Sequence, residues 1–85
     1  EVELIELNEA FASQAIGCIE ELGLDMERVN PNGGAIALGH ALGATGAVLT
    51  TKAAYAMKNA ERKYAIVTMC VGGGEGSAAV FEKID

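Results

Sequence analysis

The sequence predicts a small α/β unit with its elements in the order β-α-(Gly loop)-α-β-β, and three observations carry that prediction. Phe11, Ala12, Ala15, Ile16, Ile19 and Leu22 recur at helical spacing. Tyr64 to Val71 is a continuous apolar, β-branched run, the pattern of a strand covered on both faces. Between them, residues 32–46 hold Gly33, Gly34, Gly39, Gly43 and Gly46. A stretch so poor in side chains is ordered only when packed against something, so these glycines suit close backbone approach.

Taken in order, Val2 to Leu7 alternates apolar and charged residues, with Ile5 in addition, and reads as a short strand. Asn8 is placed to cap the next helix, with Glu9 in the first turn, where the macrodipole favours an acid. The helical face from Phe11 to Leu22 is expected to be buried, and Gly23 to end the helix. Asp25 to Pro31 forms a connection with a short extended piece around Val29. A second helix is expected from Ala41 to Asn59. Its first half, with Leu42, Ala44, Ala47, Val48 and Leu49, is apolar nearly all round, as in a helix buried within a larger body. Ser77 to Phe81 reads as a strand, and the loop Gly72 to Gly76 before it predicts an antiparallel hairpin with the run from Tyr64.

Eighty-five residues allow one domain at most. Two strongly apolar elements with few residues to cover them make a poor free-standing unit, so the chain is read as one piece of a larger α/β protein. Residues 1–32 carry a net −7 and the remainder +1, a balance that argues against nucleic acid or an anionic membrane as partner. Lys52, Lys58, Arg62 and Lys63 gather late in the second helix and its following turn. Attraction of cations to a helix C-terminus accounts for them better than a phosphate site does. The apolar runs are too short to span a bilayer, no leader is expected, and Cys18 and Cys70 show no disulfide or zinc spacing. A reducing cytoplasmic or organellar compartment is therefore expected.

His40, the single histidine, and Cys70 each lie in a glycine-rich frame. A base and a thiol on backbone nearly free of side-chain bulk can be approached closely by a ligand. Each also has a plain structural reading: Asn8 as a helix cap, His40 as a surface group, Cys70 as a small buried hydrophobe. A P-loop or dinucleotide fingerprint does not fit. No glycine stretch ends in Lys-Ser/Thr, and Ser77 stands where a third glycine would follow Gly72 and Gly74.

Three segments in order, Asn8-Glu9-Ala10-Phe11-Ala12, Asn30-Pro31-Asn32-Gly33-Gly34-Ala35-Ile36-Ala37-Leu38-Gly39-His40 and Cys70-Val71-Gly72-Gly73-Gly74, resemble the carboxy-terminal signatures of thiolases. These are the acetyl-CoA C-acetyltransferases and 3-ketoacyl-CoA thiolases. The resemblance covers essentially all of residues 1–85 and implies a partial thiolase C-terminal domain. It corresponds to the end of the C-terminal half of the layered αβαβα fold.

That resemblance implies a role for each motif residue. His40 takes the proton from the nucleophilic thiol and, with a water held by Asn8, stabilises the thioester oxygen as an enolate develops. Cys70 is the second acid/base, removing a proton from the acetyl methyl in condensation and returning it in thiolysis. The N–H of Gly72 supplies half of a second oxyanion hole. Gly39 and Gly73 admit substrate. The substrates are coenzyme A thioesters, with no metal and no further cofactor.

The nucleophilic cysteine of the family belongs to the amino-terminal half. Cys18, in a helix beside its apolar face, does not match its surroundings. The chain alone is therefore expected to be inactive. Its expected partners are a complementary amino-terminal thiolase half or a second copy; the competing readings are a non-catalytic or engineered scaffold and a split subunit. Two positions depart from the family pattern. Ala41 replaces a proline that would fix the turn after His40. Glu75 stands where glutamine or an apolar residue is usual, and a carboxylate beside Cys70 would oppose the thiolate. Both are expected to lower activity.

Overall fold

The structure is a computed structural model that describes residues 2–40, 43–60, 62–71 and 75–84. Among these, the elements run β1 (Leu4–Leu7), α1 (Ala12–Leu22), a 3-10 turn (Met26–Arg28), α2 (Ala35–Leu38), α3 (Thr45–Ala60), β2 (Tyr64–Val71) and β3 (Glu75–Glu82). The strands form one sheet in the order β1-β2-β3. β1 lies parallel to β2, with Leu4 opposite Ala65 and Leu7 opposite Thr68. β3 returns antiparallel, with Tyr64 opposite Glu82 and Val71 opposite Glu75.

Alternation along the strands divides the core in two. Leu4, Ala65 and Val67 pack with Leu49, Ala53, Ala56 and Met57 of α3 on one face. Ile5 and Leu7 pack with Ala15 and Ile19 of α1 on the other. The crossover that a parallel pair requires thus places a helix on each face.

β1 would present a bare edge, but Asn30 closes it. The Asn30 N–H donates to the Ile5 carbonyl at 2.7 Å. Its side-chain amide donates to the Leu7 carbonyl at 2.8 Å, and its Oδ1 accepts the Leu7 N–H at 2.8 Å. One asparagine side chain therefore does for Leu7 what a neighbouring strand would do. The left-handed backbone of Asn30, φ 48°, aims the amide inward, a conformation asparagine tolerates better than most residues. Val29 adds an isolated parallel bridge to Ile5, the short extended piece expected there.

The expected α/β class, the strand over Tyr64 to Val71 and the antiparallel hairpin are all present. Gly23 ends α1 in the left-handed conformation, φ 66°, where glycine meets no Cβ penalty.

Other expectations are corrected. Asn8 does not cap α1: its N–H bonds to the Thr68 carbonyl at 3.0 Å, continuing the sheet by one residue. Phe11 takes the N-cap position without a side-chain bond, and no acid lies in the first turn. Phe11, Ile16 and Leu22 are exposed rather than buried, because among the described residues the core under α1 reaches only Ile5 and Leu7 of β1 and no residue of β2 or β3. The glycine stretch contains α2, which was not foreseen. The second long helix begins at Thr45 rather than Ala41, since Gly43 at φ 81° cannot continue a right-handed helix. Its first half is not covered all round, for Val48 is 43% exposed. β3 begins at Glu75, two residues earlier than expected, because the ladder with β2 continues to Val71.

Candidate active site

Asn8 and Cys70 both lie at the carboxyl end of the parallel pair, Asn8 directly after β1 and Cys70 on the last turn of the β2 ladder. Open α/β sheets bind ligands at that end. The start of α3 lies there as well. A β-carbon built on Gly46 would come within 3.3 Å of the Met69 Cε, so the first turn of α3 rests on the residue preceding Cys70.

A cleft of about 230 Å³ opens at this end, lined by Asn8, Leu38, Gly39, Val48, Leu49 and Lys52 among others. Asn8 is buried, with 6% of its surface exposed. Gly39 ends α2 at φ 104°, its N–H bonded to the Ala35 carbonyl at 2.7 Å. That backbone turn releases the chain into His40, which is exposed.

Two acids hold the approach to the cleft. Glu6 faces α3, fully buried, with the Lys52 ammonium 3.7 Å from its Oε1. Burial raises its pKa; Lys52 works against that shift, and Glu9 adds to it. Lys52 also donates a hydrogen bond to the Gly33 carbonyl. Glu9 accepts the Ile36 N–H at 3.2 Å and the Asn30 side-chain amide at 3.1 Å. A β-carbon at Gly34 would collide with the Glu9 carboxylate, so a side chain there would push that carboxylate off its bonds to Ile36 and Asn30.

The sequence-derived candidates are thus placed unequally. Asn8 and Gly39 share the cleft, and His40 follows Gly39 directly. Cys70 is exposed and, opposite Gly76, projects to the α1 face, whereas Glu6 and Leu4 project to the α3 face. Gly72, Gly73 and Ala41 lie outside the described residues. Glu75 is opposite Val71 in the hairpin, so alternation sends its carboxylate to the face away from Cys70. The expected repulsion of the Cys70 thiolate therefore loses its geometric basis. Cys18 is half-buried beside the α1 core and accepts a 3.6 Å contact from the Gln14 amide.

Glu6, Glu9, Asn30 and Lys52 were not read as site-building residues. Lys52, expected among the helix C-terminal cations, lies mid-helix in α3 and pairs with Glu6. The available signal was a lone acid between Ile5 and Leu7 and a lone cation between Leu49 and Ala53. Of the remaining basic group, Lys58 does fall in the last turn of α3. Arg62 pairs with Glu3 at 3.2 Å and Lys63 with Glu82 at 3.9 Å. Among the described residues no group of three or more His, Cys, Asp or Glu is arranged to hold a metal ion, and no helix is long and apolar enough to cross a membrane.

This sheet end, with its asparagine, glycine-framed histidine and strand-end cysteine, defines a class that comparison with known proteins makes specific. The family described as "Thiolase, C-terminal domain" matches residues 1–83, and the chain belongs to the thiolase family. It is 60% identical over 82 residues to the 3-ketoacyl-CoA thiolase of Bacillus subtilis (strain 168), covering 96% of this chain and 21% of that one. It is 54% identical over 84 residues to a beta-ketothiolase of Cupriavidus necator, covering 99% and 21%. It is 53% identical over 83 residues to a peroxisomal 3-ketoacyl-CoA thiolase of Mus musculus, covering 96% and 20%. The chain therefore spans about a fifth of the length of the curated relatives it matches.

Proposed function

We propose that this chain supplies the acid/base side of a thiolase-type acyl transfer on coenzyme A thioesters. The observation that carries the reading is the cleft at the carboxyl end of β1 and β2, which brings Asn8 and Gly39 together immediately before His40. His40 takes the proton of the attacking thiol, which other parts of the enzyme provide. Asn8, buried at the cleft wall, orients a water toward the thioester oxygen on which negative charge develops. Gly39 keeps the approach to His40 free of side-chain bulk.

In thiolysis the nucleophilic thiolate adds to the 3-keto carbon and the C2–C3 bond breaks. The electron pair passes to C2 as an acetyl-CoA enolate, which Cys70 protonates. Free coenzyme A then takes the acyl group from the enzyme, giving up its thiol proton to the Cys70 thiolate, while His40 returns its proton to the released nucleophilic thiolate. Condensation runs these steps backwards, with Cys70 removing the methyl proton. Gly72 N–H is the donor assigned to the second oxyanion, and Gly73 borders the substrate. No metal or redox cofactor takes part.

A second reading, that the chain is a scaffold or split subunit completed by a partner, is favoured by one observation. Phe11, Leu22, Leu38, Tyr55 and Val80, spread over α1 and its N-cap, α2, α3 and β3, are each more than 60% exposed, apolar surface that a partner chain would cover.

The test is acetoacetyl-CoA thiolysis by the chain alone, mixed with an amino-terminal thiolase piece, and grafted in place of the matching fifth of the Bacillus subtilis enzyme. Activity is expected only in the completed forms, with His40→Ala lowering kcat by about 10²- to 10⁴-fold. A folded graft without activity would leave the scaffold reading standing.

A further inference from the structure

The proposed chemistry makes no use of Glu6 and Lys52, yet their arrangement is unusual. Glu6 is fully buried and neither carboxylate oxygen has a hydrogen-bond partner among the described residues. Its neighbour of opposite charge is Lys52 at 3.7 Å, itself mostly covered, with 18% of its side chain exposed. A buried ion pair is often no more stabilising than apolar residues of the same volume. Stability therefore gives little reason for an acid and a base here, and what the ammonium holds becomes the informative question.

Lys52 joins three elements. It rises from α3, meets the β1 carboxylate, and donates to the Gly33 carbonyl. Gly33 is the first residue of the segment that ends at His40, and its backbone is left-handed at φ 88°. From there the segment has a continuous set of restraints. The Gly33 N–H bonds to the Asn30 carbonyl at 3.0 Å. Glu9 accepts the Ile36 N–H, Gly34 lies against the same carboxylate, and Gly39 is tied to Ala35. Lys52 and Gly39 then line one cleft. With the Lys52 ammonium held between the Glu6 carboxylate and the Gly33 carbonyl, the pair fixes a backbone path that glycines alone would leave open.

We infer that Lys52, held in place by the buried Glu6 carboxylate, is a positioning residue: its bond to the Gly33 carbonyl sets the path of residues 33–39 and so delivers His40 to the cleft. This rests on the acyl-transfer reading for what His40 does there, and on the geometry alone for the path. Its signature is a loss of kcat without a matching loss of stability, because misplacing a reacting group by about 1 Å costs about a hundredfold in rate.

The experiment uses the full-length graft described above, with Glu6→Leu/Lys52→Met, which removes both charges and leaves apolar volume. Urea denaturation, acetoacetyl-CoA thiolysis and amide hydrogen exchange over residues 33–40 are measured on it and on the unsubstituted graft. The expected result is near-normal stability, kcat lower by about a hundredfold, little change in KM, and exchange over residues 33–40 faster by about tenfold. Stability, kcat and exchange all matching the unsubstituted graft would overturn the inference and leave the pair as buried charge balance. If the double variant does not fold, Glu6→Gln takes its place. It preserves shape but weakens the hold on Lys52, and unchanged exchange over residues 33–40 would again overturn the inference. An unsubstituted graft that is folded but inactive defeats the acyl-transfer reading instead, and the exchange comparison still decides whether Lys52 sets the path.

Discussion

The two edges of the sheet are finished in opposite ways. Along β1 the outer edge is closed from within the chain, by the backbone and side chain of Asn30 and by the bridge from Val29. Along β3 the outer edge is eight residues long, and only Phe81 is even partly buried. An outer edge of that length with no partner strand among the described residues, without a bulge or proline and with Ser77, Ala78, Ala79 and Val80 in its middle, is a surface that natural proteins usually cover. The contrast teaches where this chain is self-sufficient: at the edge bearing the cleft and its supporting acids, and not at the hairpin edge.

Four substitutions sharpen or break that contrast. The largest effect is expected at the shared centre, where Leu4→Ala should cost about 2–5 kcal/mol in urea denaturation, because Leu4 is 3% exposed against α3. At the closed edge, Asn30→Ala should cost about 1–3 kcal/mol by leaving the Leu7 N–H and carbonyl without partners. Hydrogen exchange at Leu7 should accelerate with it.

Glu6 comes next and is read through pH. Its folded-state pKa lies above the ordinary 4.5, chiefly through burial. The folded state therefore holds more protons than the unfolded one from about pH 4.5 up to the raised folded pKa, and stability from this group falls as pH rises through that window. Glu6→Gln should flatten the fall in melting temperature over the same window; an unchanged slope would show that Glu6 is not its source. The smallest effect is expected at the open edge, where Val80→Thr should change stability by no more than about 0.5 kcal/mol, Val80 being 66% exposed. Were Asn30→Ala equally silent, the two edges would not differ as described.

What the sequence revealed was local. The apolar run of β2, the glycine at the end of α1, the extended piece at Val29 and the hairpin each follow from neighbouring residues. The motifs also pointed to Asn8, Gly39 and His40, of which Asn8 and Gly39 meet at one cleft. Properties set by distant partners did not show. Asn8 reads as a cap in sequence, but pairing with Thr68 draws its backbone into the sheet and leaves the cap position to Phe11. Lys52 reads as a C-terminal cation only until Glu6, 46 residues away in sequence, is brought against it. The outward face of α1 looks buried because periodicity records a helix's apolar stripe and not the width of the surface beneath it.

The parallel register has a consequence for how the molecule assembles. Leu4 pairs with Ala65, 61 positions later in sequence, whereas the β2–β3 ladder begins between Val71 and Glu75, four positions apart. Long loops are slower to close than short ones, and pairings distant in sequence retard folding. The hairpin should accordingly form early and β1 should dock last. Because Asn8 arrives with β1 while Cys70 rides on the hairpin, the opposite sides of the candidate site come together in the final step of folding.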